Sequence, residues 1–368
     1  MRVLVFSANT KSLIHFRLDM MKCFNDNGCE VYAIGEDESK ETKEFFSSLN
    51  IKYFSAKVSR NGMNPLKDYR YKRNLKRIIE SIRPDKTFVY QAKPIVYGIP
   101  VLKKMGFNEI YPMMGGLGSI FRGKGLKNKL LRKYLSFKYR KSFSKLKTII
   151  FQNDDDIKLF KDLRIINHQK TEIINGSGVN TKIFEIKPMP EKPCFLFVGR
   201  LLRDKGIIEY LKACECIKKA YPEIKCMLVG PFDSNPSSIQ QDELDYYIKN
   251  NYIEYYGEQS DVRSYIERCS TFVLPSYHEG TPKSILEAMS IGRCIITTNV
   301  PGCKETTING VNGIVVDVAN VDELLFAMKK TIEDYDLCKD MAKKSGEIAR
   351  NKYDVEIVNK QILRIMKI

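Results

Sequence analysis

Two doubly wound α/β domains joined by a short linker are what this sequence predicts, on three observations. Short apolar runs alternate with longer amphipathic ones along the chain, the rhythm of repeated βα units. The rhythm stops at Lys187-Pro188-Met189-Pro190-Glu191-Lys192-Pro193, which cannot hold a regular helix, and then restarts. A length of 368 residues with 43% apolar content exceeds one ordinary domain and suffices for two cores. The domains read as residues 1–185 and 193–345, with 346–368 a C-terminal helix returning to the first domain.

The elements follow in order. Residues 1–7 carry one Arg and a brief apolar run, which suits a buried first strand at 2–6 better than a secretion signal. Further strands are expected at 30–34, 52–54, 87–91, 109–113 and 148–151, with helices at 12–27, 40–49, 66–83 and 95–105 between them. The half closes with Thr171-Glu172-Ile173-Ile174 and the glycine turn Asn175-Gly176-Ser177-Gly178-Val179. Beyond the linker, strands are expected at 194–198, 225–229, 253–256, 271–274, 294–297 and 313–316, and the tail 321–368 reads as helical throughout. Ligands of such folds sit at the carboxyl ends of the strands, so the chemistry is expected there, in a cleft between the domains.

Charge divides the chain sharply. Residues 1–185 carry a net +18 and the remainder a net −1, within a total of +17. A basic half attracts polyanions, either nucleic acid or an anionic leaflet. No stretch approaches the ~20 apolar residues of a membrane-spanning helix. The ten cysteines show no metal-type pairs, and His15, His168 and His278 are the only histidines. Buried thiols of a reduced, cytoplasmic protein are expected.

The densest chemical pattern is Pro275-Ser276-Tyr277-His278-Glu279-Gly280-Thr281-Pro282-Lys283-Ser284-Ile285-Leu286-Glu287-Ala288-Met289. It leaves an apolar strand, turns at Gly280 and enters a helix near Pro282, with Thr281 just before it. Amides from Gly280 to Ser284 would then face a ligand at the positive helix end, a diphosphate site. Glu279 would stand at the mouth, and Glu287 one to two turns in, where a carboxylate takes both ribose hydroxyls. A capping turn beside a solvated Glu gives the same pattern. A second stretch, Val198-Gly199-Arg200-Leu201-Leu202-Arg203-Asp204-Lys205-Gly206, places Arg200 and Lys205 after a strand. Paired cations suit a departing diphosphate; an ordinary basic loop reads alike.

Both stretches resemble glycosyltransferase family 4, of the GT-B fold, in which two glutamates flank seven residues as Glu279 and Glu287 do. The resemblance implies retention at the anomeric carbon and a UDP-sugar donor. It implies that Glu279 approaches the donor sugar, that Glu287 holds the ribose, and that Arg200 and Lys205 neutralise the diphosphate. Val229-Gly230-Pro231, Tyr255-Tyr256-Gly257-Glu258, Val262, Val300-Pro301-Gly302-Cys303-Lys304-Glu305 and Asn309-Gly310-Val311-Asn312-Gly313 follow in the family's order.

In the first half, Ile14-His15-Phe16-Arg17, the loop Ser59-Arg60-Asn61-Gly62-Met63-Asn64-Pro65, Ala92-Lys93-Pro94 and Gly115-Gly116-Leu117-Gly118-Ser119 resemble the branch that extends polyprenyl-diphosphate-linked glycans. Arg17, Arg60, Lys93, Gly116 and Gly118 are thereby candidates for acceptor binding; the glycines also suit a plain turn. Some members place a His after the strand ending near Met113, where this chain has Met114-Gly115. Beside Glu279, His15 is a candidate for the catalytic centre in place of that His; alternatively the reaction rests on the donor phosphate and main-chain groups, and His15 is a surface residue of its helix. Asp154-Asp155-Asp156 reads as a helix start, and no metal is expected.

Residues 122–147 hold eleven Lys or Arg and no acid, interleaved with Leu126, Leu130, Leu131, Tyr134, Leu135, Phe137 and Phe143. A basic amphipathic helix with aromatics points to an anionic membrane surface. The alternative is a helix that packs its apolar side inward and leaves the charges in water. Transfer of an N-acetylhexosamine from a UDP-sugar to a lipid-linked glycan, by a peripheral enzyme on the inner face of the cytoplasmic membrane, is the reading these features favour. A UDP-sugar 2-epimerase of the same fold would leave the basic helix without a role. A nucleic-acid binder would leave the motifs of the neutral half without one, and no nucleic-acid-binding motif is visible.

Overall fold

The computed structural model describes residues 1–57, 65–116, 121 and 125–368. Its contacts divide the chain into two compact units, Met1–Ser177 with Val358–Ile368, and Gly178–Ile357.

Unit 1 runs β1 (Arg2–Phe6), α1 (Thr10–Asp26), β2 (Glu30–Gly35), α2 (Lys40–Ser48), β3 (Ile51–Ser55), α3 (Pro65–Ile82), β4 (Lys86–Tyr90), a π turn (Pro94–Gly98) into α4 (Ile99–Lys104), β5 (Ile110–Met113), α5 (Leu126–Phe143), β6 (Thr148–Phe151), α6 (Asp154–Asp162) and β7 (Lys170–Ile173). Its seven-stranded sheet has the order β3-β2-β1-β4-β5-β6-β7, parallel at every pairing. The strands are apolar on both faces because helices cover both. Leu4, Phe6, Ile34, Val89 and Phe151 pack with α3 and α5, while Val3, Val5, Val31, Phe88 and Ile150 pack with α1 and the C-terminal Val358, Ile362 and Ile365. Asn9 caps α1 by accepting from the Ser12 amide at 2.7 Å. The triple Asp154-Asp155-Asp156 opens α6 behind an Asn153 cap.

Unit 2 runs β8 (Cys194–Val198), α7 (Ile207–Ala220), β9 (Lys225–Val229), α8 (Gln241–Lys249), β10 (Glu254–Tyr255), α9 (Arg263–Glu267), β11 (Thr271–Leu274), α10 (Lys283–Ile291), β12 (Cys294–Thr298), β13 (Gly313–Val316), α11 (Val321–Glu333) and α12 (Tyr335–Ile348). Its six parallel strands take the order β10-β9-β8-β11-β12-β13. The tail is not one helical run: a π turn at Ala349–Tyr353 ends at Asp354 before α13 (Val355–Met366), whose outer part belongs to unit 1.

The Lys/Pro-rich stretch at 187–193 packs on unit 2, and the division falls earlier, at Ser177 and Gly178. The fully buried Arg293 explains this. Its guanidinium donates to the carbonyls of Pro188 at 3.0 Å and Ile266 at 3.1 Å, while the Tyr335 hydroxyl donates to Pro190. Proline carbonyls lack a helix or sheet partner here, and these side chains satisfy them.

Candidate functional site

In each unit the strand order reverses direction between two adjacent strands, β1 and β4 in unit 1, β8 and β11 in unit 2. The loops leaving such a pair part to opposite sides of the sheet and leave a crevice. In unit 2 those loops are residues 199–206 and 275–282, the two richest in sequence motifs.

They are fastened to each other. The Tyr277 amide donates to the Asp204 carbonyl at 2.9 Å, and Ser276 Oγ to the same oxygen at 3.2 Å. Gly206, at φ +73°, runs against Pro275: a Cβ there would lie 2.0 Å from the Pro275 carbonyl oxygen. No other residue fits that approach. The result is a direct ion pair between Lys205 and Glu279, side chains 23% and 11% exposed. Ser276 Oγ adds a hydrogen bond to Glu279 Oε1 at 2.9 Å. The far side of Glu279 is held by β12's exit loop, since its amide donates to the Pro301 carbonyl at 3.1 Å. Ion pairs this sheltered add little to stability against an apolar pair, so their presence at a crevice is better accounted for by chemistry than by folding.

Tyr277 and Glu209 brace the arrangement. The Tyr277 hydroxyl donates to Glu209 Oε1 at 2.7 Å, and Glu209 Oε2 is buried without a hydrogen-bond partner. Burial and then Glu209 itself push the phenol up to about 12. Cys303, fully buried beside the ion pair, has its thiol pushed up to about 12 by burial, with Glu279 adding and Lys205 opposing.

Helix α10 starts at Lys283 with Pro282 as its cap residue, one position later than expected, and Thr281 is not the cap. Pro282 is extended (ψ 112°), as its place between loop and helix requires, and its carbonyl accepts from Ile285 and Leu286. The first-turn amides precede those donors and lie at the positive end of the helix. Glu287, one turn in, is 14% exposed and 3.9 Å from Lys283. Burial lifts its carboxyl to about 7, with Lys283 pulling down and Asp261 pushing up.

Arg200 stands 43% exposed, its guanidinium 2.7 Å from Asp233 in the loop after β9. There the backbones cross closely: a Cβ on Gly230 would lie 1.8 Å from the Gly199 carbonyl oxygen, and the Gly230 amide donates to Gly257 at 2.8 Å. Tyr255 closes the corner through its hydroxyl to the Gly230 carbonyl at 2.9 Å.

The unit 1 candidates come together less closely. His15 lies exposed on α1. Arg17 occupies a different place from that expected. It is 3% exposed, its guanidinium 5.2 Å from the Tyr90 ring centroid, 5.4 Å from that of Phe88 and 2.8 Å from Met113 Sδ. Burial pushes it down to about 10, because aromatic faces return only part of the lost hydration. Lys93 is half-buried ahead of the π turn, and Gly116 follows β5 at φ +69°. Arg60 and Gly118 lie outside the described residues. The crevice of unit 1 instead shows groups that no motif in the sequence marks. Gln91, at φ 70°, accepts through Oε1 from Ser7 Oγ at 3.1 Å and the Ala8 amide at 3.0 Å, and Glu36 accepts from Thr10 Oγ1 at 3.0 Å. Only the strained left-handed backbone at Gln91 marks it, and no local pattern announces that.

A cavity of about 600 Å³ opens at the other end of the unit 1 sheet, lined in part by Glu109, Lys147, Lys170, Glu172, Arg364 and Lys367. It contains none of the candidate site residues. Among the described residues no group of three or more His, Cys, Asp or Glu side chains is placed to hold a metal.

Comparison with known proteins bears on the same loops. Residues 179–347, which span both motif loops, match the family described as glycosyl transferases group 1. The match runs through almost all of unit 2. Over 384 aligned residues, 99% of this chain and 98% of the relative, the chain is 28% identical to the N,N'-diacetylbacillosaminyl-diphospho-undecaprenol alpha-1,3-N-acetylgalactosaminyltransferase of Campylobacter jejuni. Among solved structures it superposes on sucrose-phosphate synthase from Thermosynechococcus elongatus with a TM-score of 0.83 at 16% identity, covering 100% of this chain and 98% of that one. It superposes on Anabaena HepE in complex with UDP with a TM-score of 0.79 at 16% identity, covering both chains fully. The fold is GT-B, two parallel-sheet α/β domains.

Proposed function

We propose that this protein is a glycosyltransferase that moves an N-acetylhexosamine from a UDP-sugar to a polyprenyl-diphosphate-linked glycan, with retention at the anomeric carbon. The observation that carries the donor half is the Lys205–Glu279 ion pair, fixed at the strand-order reversal of unit 2 and close to the start of α10. In this reading the diphosphate lies against the amides from Gly280 to Ser284, Arg200 and Lys205 compensate the charge that grows on it as the glycosidic bond breaks, and Lys283 adds to that field. Glu279 faces the sugar; on sugar binding Lys205 moves from the carboxylate to the phosphate. Glu287 accepts from the ribose hydroxyls. The cations take the place of a metal in this scheme. The HepE structure with UDP supports the choice of nucleotide.

The acceptor half rests on the Campylobacter relative, whose name specifies an undecaprenol diphosphate. Lys93, the Gly116 turn, Arg60 and Gly118 are proposed to meet the acceptor, His15 to stand near the reacting hydroxyl, and Arg17 to act from beneath by fixing Tyr90 and Met113. Residues 122–147 are proposed to hold the enzyme at an anionic membrane surface, on the cytoplasmic face. No helix among the described residues is long and apolar enough to cross a membrane.

The test is incubation of the protein with a panel of UDP-N-acetylhexosamines and a polyprenyl-diphosphate-linked sugar. The expected product gains one sugar with the donor's anomeric configuration, and UDP is released only when the acceptor is present. An inverted linkage would refute retention, and an epimerised sugar nucleotide formed without acceptor would refute transfer.

A further inference from the structure

Helix α5 carries two apolar stripes, and the fold buries one. Tyr139 and Phe143 are 3% and 0% exposed and pack into unit 1 with Phe160. Leu130, Tyr134 and Phe137 fall at i, i+4 and i+7, within about 60° of one another on a helix and on the side opposite Tyr139. They are 68%, 37% and 58% exposed. A helix of a water-soluble domain needs one apolar face; packing of this unit leaves the second without a role.

The stripe has a neighbour on α3. That helix buries Tyr71, Leu75, Ile79 and Ile82, while Leu66 and Tyr69 in its first turns are 74% and 65% exposed. Tyr97 of the π turn joins the two helices. Its hydroxyl donates to Asp68 of α3 at 2.7 Å, Lys72 of α3 sits 5.4 Å from its ring centroid, and the Tyr134 hydroxyl of α5 interacts with it. The rim is cationic, with Arg70, Arg73 and Arg77 exposed on α3 and Lys129, Lys133 and Lys141 on α5. Of the two acids on α3, Asp68 is buried against Tyr97 and Glu80 is 3.5 Å from Lys76; α5 has none.

Charge selects the occupant. A second copy would bring one cationic rim against another, which is repulsive. A bilayer with anionic headgroups matches both parts, since cations rest at the phosphates while leucine and aromatic side chains enter the acyl boundary, and tyrosines favour that interface. We infer that Leu66, Tyr69, Leu130, Tyr134 and Phe137 insert together into an anionic leaflet, with the α3 and α5 cations on its headgroups. This rests on the membrane reading above and deepens it: it names the inserted side chains and adds α3, which lies outside residues 122–147.

The experiment is co-sedimentation of the full chain with phosphatidylglycerol/phosphatidylcholine vesicles and with phosphatidylcholine alone. The variants are Leu130→Ser/Phe137→Ser, Leu66→Ser/Tyr69→Ser, and Phe326→Ser as a control, the last being 70% exposed on unit 2. UDP titration of each variant reports separately on fold and donor site. The wild type is expected to bind anionic vesicles and to keep part of that binding at about 0.5 M salt, where charge attraction is screened. Each double variant is expected to lose about tenfold in partitioning and to detach fully at that salt, with UDP binding unchanged, while Phe326→Ser behaves as wild type. Double variants that partition like the wild type would overturn the insertion while leaving a purely electrostatic attachment standing. A concentration-dependent dimer abolished by the same substitutions would assign the patch to a second copy and equally overturn it. Failure of the wild type to bind UDP would instead strike the donor reading and leave the vesicle result intact.

Discussion

Glu287 is held near neutrality because the fold removes its water and gives back one distant cation, Lys283 at 3.9 Å. A carboxyl raised to about 7 in the folded chain, against ~4.3 unfolded, binds its proton more tightly when folded. The associated stabilisation is complete below the unfolded value and is lost as pH rises through about 7. Glu287→Gln is therefore expected to exceed the wild type in stability at pH 8, by about 1–3 kcal/mol, and to match it near pH 4, as urea denaturation at the two pH values would show. The same substitution should weaken UDP binding. UDP affinity of the wild type should rise between pH 6 and 8 as the carboxylate forms, whereas the variant's stays flat; a calorimetric pH series reads both. Tyr277→Phe, for its part, removes the one hydrogen bond Glu209 receives and leaves that buried carboxylate bare. A loss of about 1–3 kcal/mol in urea is expected, partly recovered in Tyr277→Phe/Glu209→Gln. A variant as stable as the wild type would show that the brace does not carry load.

At the scale of elements, the close backbone crossings decide whether the crevice forms. Gly206→Ala forces a Cβ into the Pro275 carbonyl at positive φ and is expected to cost about 2–4 kcal/mol and to lower UDP affinity, measurable in one urea series and one titration. Unchanged values would mean that the two loops need not touch. These loops were legible in the sequence because glycine, proline and charge cluster locally after a short apolar run, and βα rhythm located nearly all the strands. What was not legible depends on residues far apart in the chain. Arg17 is buried by Phe88, Tyr90 and Met113, none of them its sequence neighbours. The proline-rich 187–193 stretch reads as free because no local partner exists; Arg293 and Tyr335 supply the partners from 100 residues or more away. Spacing showed α5 to be helical and apolar, but not that its apolar residues divide between opposite faces.

Taken whole, the molecule combines a unit carrying most of the positive charge with a near-neutral one that holds the loops proposed to bind the donor. The division favours a basic unit that meets polyanionic or lipid-linked partners and a second that handles a soluble nucleotide, whose two or three charges need only Arg200, Lys205 and a helix end. Vesicle binding should accordingly fall with salt far more steeply than UDP binding, since the screening length drops to ~3 Å at 1 M. At the strand reversal of unit 2, Lys205, Glu279 and Glu287 are proposed to build a UDP-sugar site. Calorimetric titration of the purified protein with UDP, beside Glu287→Ala and without added metal, tests it most directly. Saturable one-to-one binding by the wild type that largely disappears in the variant is expected. Wild-type protein that binds neither UDP nor GDP, or a variant that binds UDP as tightly as the wild type, would contradict it.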